Sequence, residues 1–302
     1  MIATEPKRVL IIRLSAIGDV VFASPLVAAC KKRYPEVEID WLAEGVVRPL
    51  LTEMPGLNNV VLWPRQEWQD LWREKRFFAL ISAVAAFRRK LRARNYDLVI
   101  DAQGLVKSAF LAWLTGSRQR IGFKSKEPNG VFLTDRYEKS ITSRISSEYL
   151  ALADILGWDT SSFEMVLGLA ASDDARATDV APDEPYVVIA PFTTRPQKHW
   201  TYAHWRALIG RLADAGHQVA CLGGPGDREE AAALLDGLPV LNWVGSYPLG
   251  VSAGLVKRAV GVIGVDTGLT HMGIAADIPT VALFGSTCLY LETGRDNVRV
   301  IY

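Results

Sequence analysis

The sequence predicts an α/β protein of two doubly wound parallel sheets. Three observations carry that expectation: the length of the chain, the order of its apolar segments, and the turn chemistry at their ends. At 302 residues the chain exceeds what one hydrophobic core comfortably fills, so two domains of about 150 residues are expected. In both halves short apolar runs alternate with longer helical stretches, the order that places helices on both faces of a parallel sheet. Glycine-bearing turns follow several of the runs, where strands would feed into helices.

Taken in order, residues 9–12 are apolar and mostly β-branched and read as a first buried strand. Gly18 opens a turn into a helix over residues 20–32, clearest from Phe22 onward. Further strands are expected at 38–42, 59–62 and 98–101, with a helix over 78–94. Residues 170–185 are rich in Ala, Asp, Ser and Pro and lack apolar periodicity, which reads as a linker. Domains are therefore expected at 1–169 and 186–302. The second contains strands at 186–190, 218–222, 239–242, 261–265 and 280–284, with helices over 202–215 and 227–235 among them. Two Rossmann-like domains facing each other would enclose a cleft lined by strand C-terminal ends, the default place for an active site.

Hydrophobic content of 49% with 22% charged residues is that of a globular protein. No apolar run reaches the roughly 18 residues a membrane span needs, and the first eight residues hold no signal-peptide core, so a cytoplasmic location is expected. Cys30, Cys221 and Cys288 are far apart in apolar surroundings and read as buried thiols. The four histidines form no metal-spaced cluster with them. The net charge of +1 hides an asymmetry. Residues 1–150 carry 24 Lys and Arg against 16 Asp and Glu, whereas residues 151–302 carry 10 against 17. A moderately basic first half suits a bulky anionic acceptor or an anionic membrane surface and not nucleic acid. The basic stretch 65–76 is interleaved with aromatics (Trp63, Trp68, Trp72, Phe77, Phe78), as in an interfacial segment. The stretch 88–94 reads more simply as a solvated helix face.

The turn after the first strand begins like a phosphate-binding turn, then places Asp19 where the phosphate would sit. A carboxylate about 4 Å from a pyrophosphate oxygen meets roughly 4 kcal/mol of repulsion, so the nucleotide is expected elsewhere. The turn also lacks Gly-x-Gly-x-x-Gly, which argues against a nicotinamide dehydrogenase. The plainer role for Asp19 is capping of the first helix. In the second half, the segment after 186–190 offers Thr193, Thr194 and Lys198 just before a helix start, hydroxyls and a cation that can hold a diphosphate. After 261–265 comes Asp266-Thr-Gly-Leu-Thr-His271, a helix start whose amides form an anion site. Gly223-Gly-Pro-Gly-Asp-Arg-Glu229 is a third such turn. Capping alone explains any one of these turns less well when three occur in one half.

Together, residues 13–25, the segment Asp101-Ala-Gln-Gly-Leu-Val-Lys-Ser-Ala109, Thr193–Trp200 and Asp266–His271 resemble the bacterial lipopolysaccharide heptosyltransferases of glycosyltransferase family 9, most nearly heptosyltransferase I. The resemblance runs from about residue 9 to residue 300. It implies a GT-B architecture and an inverting, metal-independent glycosyl transfer without a cofactor. The implied donor is ADP-L-glycero-β-D-manno-heptose, held by the second domain. The implied acceptor is Kdo-lipid A, held by the first domain, at the cytoplasmic face of the inner membrane. By the same resemblance Asp19 is the catalytic carboxylate and Lys198 the diphosphate lysine. Thr193, Thr194, Asp266, Thr267, Gly268 and His271 line the donor site. The ribose acid falls on Arg228 or Glu229, and Glu229 fits by chemistry. On the acceptor side the match places Gly18, Gln103, Lys107 and Lys126, with Arg65, Arg73, Lys75 and Arg76 in a basic region.

Inversion at an anomeric carbon needs a base on the acceptor hydroxyl, stabilisation of the departing diphosphate and an in-line geometry. No Asp-x-Asp occurs in the chain, which weighs against a metal-bridged diphosphate. Closure of the two domains is expected in the cycle. The family continues with a C-terminal helix crossing back to the first domain, whereas this sequence stops at Arg299-Val-Ile-Tyr302 in what reads as a strand, so that helix is expected to be missing. Other readings are the same chemistry on another acceptor or sugar nucleotide, a nucleotide-sugar epimerase, and a sugar-nucleotide sensor without turnover.

Overall fold

In the computed structural model, residues 5–285 and 290–302 are described. The chain divides into two compact units, one of Met1–Ser140 with Glu148–Phe163, the other of Ile141–Ser147 with Glu164–Tyr302. The first unit runs β1 (Arg8–Ile12), α1 (Ile17–Ala23), α2 (Pro25–Arg33), β2 (Glu38–Ala43), β3 (Asn59–Leu62), α3 (Arg65–Arg73), α4 (Phe77–Ala93), β4 (Leu98–Asp101), α5 (Val106–Leu114), β5 (Gln119–Phe123), β6 (Asp135–Tyr137) and α6 (Ser147–Ile155). The second runs α7 (Ala171–Val180), β7 (Tyr186–Ala190), α8 (Tyr202–Asp214), β8 (Gln218–Cys221), α9 (Arg228–Leu235), β9 (Leu241–Asn242), α10 (Leu249–Arg258), β10 (Gly261–Val265), α11 (Gly268–Ala275), β11 (Thr280–Leu283) and β12 (Val298–Ile301).

Each unit holds one six-stranded parallel sheet, in the orders β3-β2-β1-β4-β5-β6 and β12-β11-β10-β7-β8-β9. The direction of winding reverses between β1 and β4 and between β7 and β10. At such a point the two following loops leave on opposite sides and open a crevice at the strand C-terminal ends. The central strands are continuous apolar runs because helices cover both of their faces, and β1, β4 and β7 are almost entirely buried. One core gathers Leu10, Ile12, Leu42, Val99 and Leu111 in the first unit, and another gathers Ile189, Trp205, Val219 and Leu234 in the second.

The structure differs from the sequence reading at four places. The helix expected over 20–32 starts earlier, at Ile17, and is two helices. Pro25 has no N–H to continue α1 and instead takes the first position of α2, where none is needed, while Ser24 Oγ bonds back to the Val21 carbonyl at 2.7 Å. The expected linker contains α7, an alanine-rich helix with Asp173 and Asp174 in its first turn, both favourable to helix despite the missing apolar stripe. Strands β5 and β6 complete the first sheet beyond the elements read from sequence, one half-polar and the other three residues long. The strand expected at 239–242 shortens to two residues. Cys30 and Cys221 are free and buried, and burial pushes the Cys30 thiol up to about 12; Cys288 lies outside the described residues.

Candidate active site

At the winding reversal of the first sheet, the loops leaving β1 and β4 are tied together. The Leu14 N–H donates to Gln103 Oε1 at 2.8 Å, and Arg13 Nη1 donates to the Ala102 carbonyl at 3.1 Å. Asp19 is the third residue of α1. Its carboxylate accepts from the Ala16 N–H at 3.3 Å and meets Arg13 Nη2 at 2.5 Å. The N-cap position belongs to Ala16, so Asp19 braces the helix start from within the first turn, where the helix dipole favours an acid. The Arg13 side chain is 7% exposed and the Asp19 side chain 39%, so the pair has a buried cationic side and a carboxylate edge that a substrate can reach. Burial works against the Arg13 charge, but Tyr149, Asp19 and Glu148 outweigh it and hold its pKa above the ordinary value.

Asp101, the last residue of β4, is fully buried beside this pair. Its Oδ1 accepts from the amides of Gln103 and Gly104, each at 3.1 Å. Gly104 has φ of +76°, a turn conformation that glycine takes without strain. Burial pushes the Asp101 pKa up to about 6, while Ser108, the two amides and Arg13 pull it back.

Glu44 gathers two of the cations expected on the acceptor side. Arg65 lies 3.0 Å from it and Lys107 3.9 Å, with Lys107 Nζ also 5.9 Å from the Trp63 ring centroid. The Glu44 N–H donates to the Leu14 carbonyl at 3.0 Å, which joins this cluster to the Asp19 loop. Gly18 lies in the first turn of α1. Arg73 and Arg76 pair locally with Asp70 and Glu74 at 3.1 and 3.2 Å. Lys75, in a turn at φ +56°, and Lys126, on the loop after β5, are exposed. Among the described residues no contact ties these last four to the Asp19 group.

At the reversal of the second sheet, the loops leaving β7 and β10 meet through an ion pair. Lys198 closes a short 3-10 turn, Pro196–Lys198, and its Nζ lies 2.5 Å from Asp266 Oδ2. His271, buried in α11, places Nε2 3.0 Å from Asp266 Oδ1. Burial would raise the Asp266 pKa, but His271 and Lys198 outweigh it and hold the carboxyl at about 2. Asp266 is therefore a carboxylate at any physiological pH, and it fixes the ammonium of Lys198 near the start of α11. Thr267 holds the N-cap position of that helix without a side-chain capping bond and Gly268 is its first residue, so first-turn amides without helical partners lie at the same strand end.

The Thr193 carbonyl lies 2.9 Å from His199 Nε2, and Thr194 is exposed on the same loop. Of the acids on α9, Glu230 faces His199 at 3.5 Å, whereas Glu229 is exposed and forms no ion pair among the described residues. Arg228 donates to the Gly245 carbonyl. Among the described residues no group of three or more His, Cys, Asp or Glu side chains clusters as metal ligands.

Sequence reasoning missed Arg13 and Glu44. A cation directly after a buried apolar strand was the available signal, because a buried charge at a strand end requires an opposite charge within reach.

Residues 84–290 match glycosyltransferase family 9 (heptosyltransferase). The chain is 32% identical over 288 residues to lipopolysaccharide heptosyltransferase 1 of Escherichia coli K12, covering 93% of this chain and 88% of that protein. It is 29% identical over 305 residues to the heptosyltransferase 1 of Pseudomonas aeruginosa, covering 93% and 79%. Among solved structures, the E. coli heptosyltransferase WaaC with ADP-2-deoxy-2-fluoro heptose superposes with a TM-score of 0.77 at 29% identity over 97% of this chain and 92% of that one. With two six-stranded parallel sheets of matching topology and a family match spanning more than two thirds of its length, the chain belongs to glycosyltransferase family 9, the heptosyltransferases.

Proposed function

We propose that this protein transfers L-glycero-D-manno-heptose from ADP-heptose to the Kdo of Kdo-lipid A, with inversion and without a metal, in assembly of the lipopolysaccharide inner core at the inner-membrane surface. One observation supports this most directly. The two winding reversals carry complementary equipment: an accessible carboxylate pinned by a buried arginine in one unit, and an ammonium pinned by a carboxylate at a helix start in the other. A sugar acceptor needs the first and a nucleoside diphosphate leaving group needs the second.

In this account Asp19 accepts the proton of the attacking Kdo hydroxyl. A carboxylate is too weak a base to form an alkoxide beforehand, so the proton moves late, as the C–O bond forms at the anomeric carbon. Arg13 orients the carboxylate. As the bond to the diphosphate breaks, negative charge grows on its oxygen. Lys198, the first-turn amides of α11 and the hydroxyls of Thr193 and Thr194 stabilise that charge in place of a metal. Asp266 and His271 hold Lys198 and the α11 start in position, with Thr267 and Gly268 allowing close approach. Glu229 binds the ribose hydroxyls. Lys107 and Arg65, gathered by Glu44, meet the anionic Kdo region, with Gln103 and Gly18 shaping the loop. Lys126, Arg73, Lys75 and Arg76 serve the outer anionic parts of the acceptor.

The test is incubation with ADP-heptose and Kdo-lipid A, following lipid mass and ADP together. The expected result is a gain of one heptose per lipid with one ADP released. Release of ADP without lipid gain, or isomerisation of the free nucleotide sugar, would overturn the assignment.

A further inference from the structure

The α3–α4 hairpin is built unlike the other helices of its unit. None of the nine residues of α3 is buried, and α4 buries only Phe87 and Leu91 of seventeen. Yet α4 opens with Phe77-Phe-Ala-Leu-Ile-Ser-Ala-Val-Ala-Ala86, as apolar as a core helix. Phe78 is 91% exposed, Ile81 65%, Trp72 63% and Phe77 48%. The rings of Trp72 and Phe77 pack edge to face at 5.4 Å across the turn between the helices, making one apolar tip. Behind that tip, Trp63, Trp68, Trp72, Leu80 and Val84 line an open groove of about 410 Å³.

Charge is distributed along the same stripe. Phe78, Ile81 and Ala85 share a helical face, and continuing it by steps of three and four reaches Arg89 and Arg92. All five are exposed. The face is apolar over its first two turns and cationic over its last two, with Phe78 and Arg92 about 21 Å apart along the axis. Residues 65–94 carry nine Lys and Arg against three Asp and Glu. A second copy of the chain on this face would oppose two surfaces of like charge, which disfavours self-association. An anionic bilayer satisfies both halves of the stripe, with aromatic and aliphatic side chains entering the headgroup boundary and arginines meeting phosphates.

We infer that the α3–α4 hairpin is a membrane-docking element that inserts Trp72, Phe77, Phe78 and Ile81 into an anionic lipid surface while Arg89 and Arg92 engage headgroup phosphates. The inference deepens the proposed function, since it rests on an acceptor that is itself anchored in a membrane. No helix among the described residues is long and apolar enough to cross a bilayer, so the contact is peripheral.

The test is cosedimentation with vesicles containing about one-third phosphatidylglycerol, against vesicles of phosphatidylcholine alone. The protein should bind the anionic vesicles, less at high salt, and Phe78→Ser with Ile81→Ser should weaken binding about tenfold or more. Arg89→Gln with Arg92→Gln should lose the preference for anionic lipid. The Phe78→Ser and Ile81→Ser protein should still transfer heptose at the wild-type rate to an acceptor stripped of its acyl chains, showing that the fold and the chemistry are intact. Failure of the wild-type protein to bind anionic vesicles, equal binding by both variants, or concentration-dependent dimerisation abolished by Phe78→Ser with Ile81→Ser would overturn the inference. Vesicle binding without transfer to any acceptor would sink the proposed function and leave the docking surface standing.

Discussion

In the proposed mechanism Asp19 depends on the arginine that aims it. Arg13 Nη2 lies 2.5 Å from its carboxylate, and Nη1 is anchored to the Ala102 carbonyl, so the cation cannot follow a carboxylate that rotates away. Arg13→Met should therefore lower transfer about tenfold or more while leaving ADP-heptose affinity unchanged, and Arg13→Lys should recover part of the loss; parallel loss of donor affinity in a titration would show a merely structural role. Asp101 gives a second residue-scale test. Its folded pKa of about 6 lies above the ordinary 3.8, so the native state holds a proton that the unfolded chain has already released between those pH values. Its contribution is thus present below about pH 4 and lost as pH rises through 6, by up to about 3 kcal/mol. Relative to its own stability at pH 4, Asp101→Asn should lose less than the wild-type protein on going to pH 7.5, as read by denaturant unfolding at both values. Identical pH profiles would show that Asp101 is not buried as an acid.

At the scale of elements, the sequence exposed those with uniform pattern and concealed those whose pattern is set by neighbours. Strands β1, β4, β7 and β10 were readable because burial on both faces demands unbroken apolar residues. Strands β5 and β6 were not, since Gln119-Arg-Ile-Gly-Phe123 is only partly apolar and Asp135-Arg-Tyr137 is an edge with exposed side chains. Helix α7 was concealed for a different reason. Its contact with α10 depends on small residues: a Cβ added at Gly254 would lie 2.5 Å from the Cβ of Ala177. No hydrophobic stripe is needed where two backbones approach so closely, and Arg258 bonds Asp174 at 2.8 Å beside the contact. Gly254→Ala should destabilise the protein by about 1–3 kcal/mol through overpacking, and Ala177→Gly in that background should restore part of the loss despite its own cost of about 1 kcal/mol in a helix. An unchanged melting temperature for Gly254→Ala would mean that α7 does not pack against α10 as described.

Over the whole molecule, the same topological event occurs twice and is equipped in opposite senses. Most of the proposed site was legible as a candidate in the sequence because strand-to-helix turns bearing Asp19, Thr193 to Lys198 and Asp266 to His271 stand at recognisable strand ends. What could not be read was which groups hold one another. Glu44 on Arg65 and Lys107, and Asp266 on Lys198, are contacts between different loops, fixed by strand order and not by spacing, and Arg13 meets Asp19 within one turn while the carbonyl of distant Ala102 anchors it. The division of labour between the two reversals is the central claim, and it makes the two units separable by measurement. ADP-heptose affinity by calorimetry and heptose transfer to Kdo-lipid A should be determined side by side for Asp19→Asn and Lys198→Met. Asp19→Asn should keep the donor affinity and lose transfer by about 10²–10⁴-fold, while Lys198→Met should weaken donor binding as well as transfer. Near-normal transfer by Asp19→Asn, or a loss of donor affinity in it as large as that in Lys198→Met, would contradict the account.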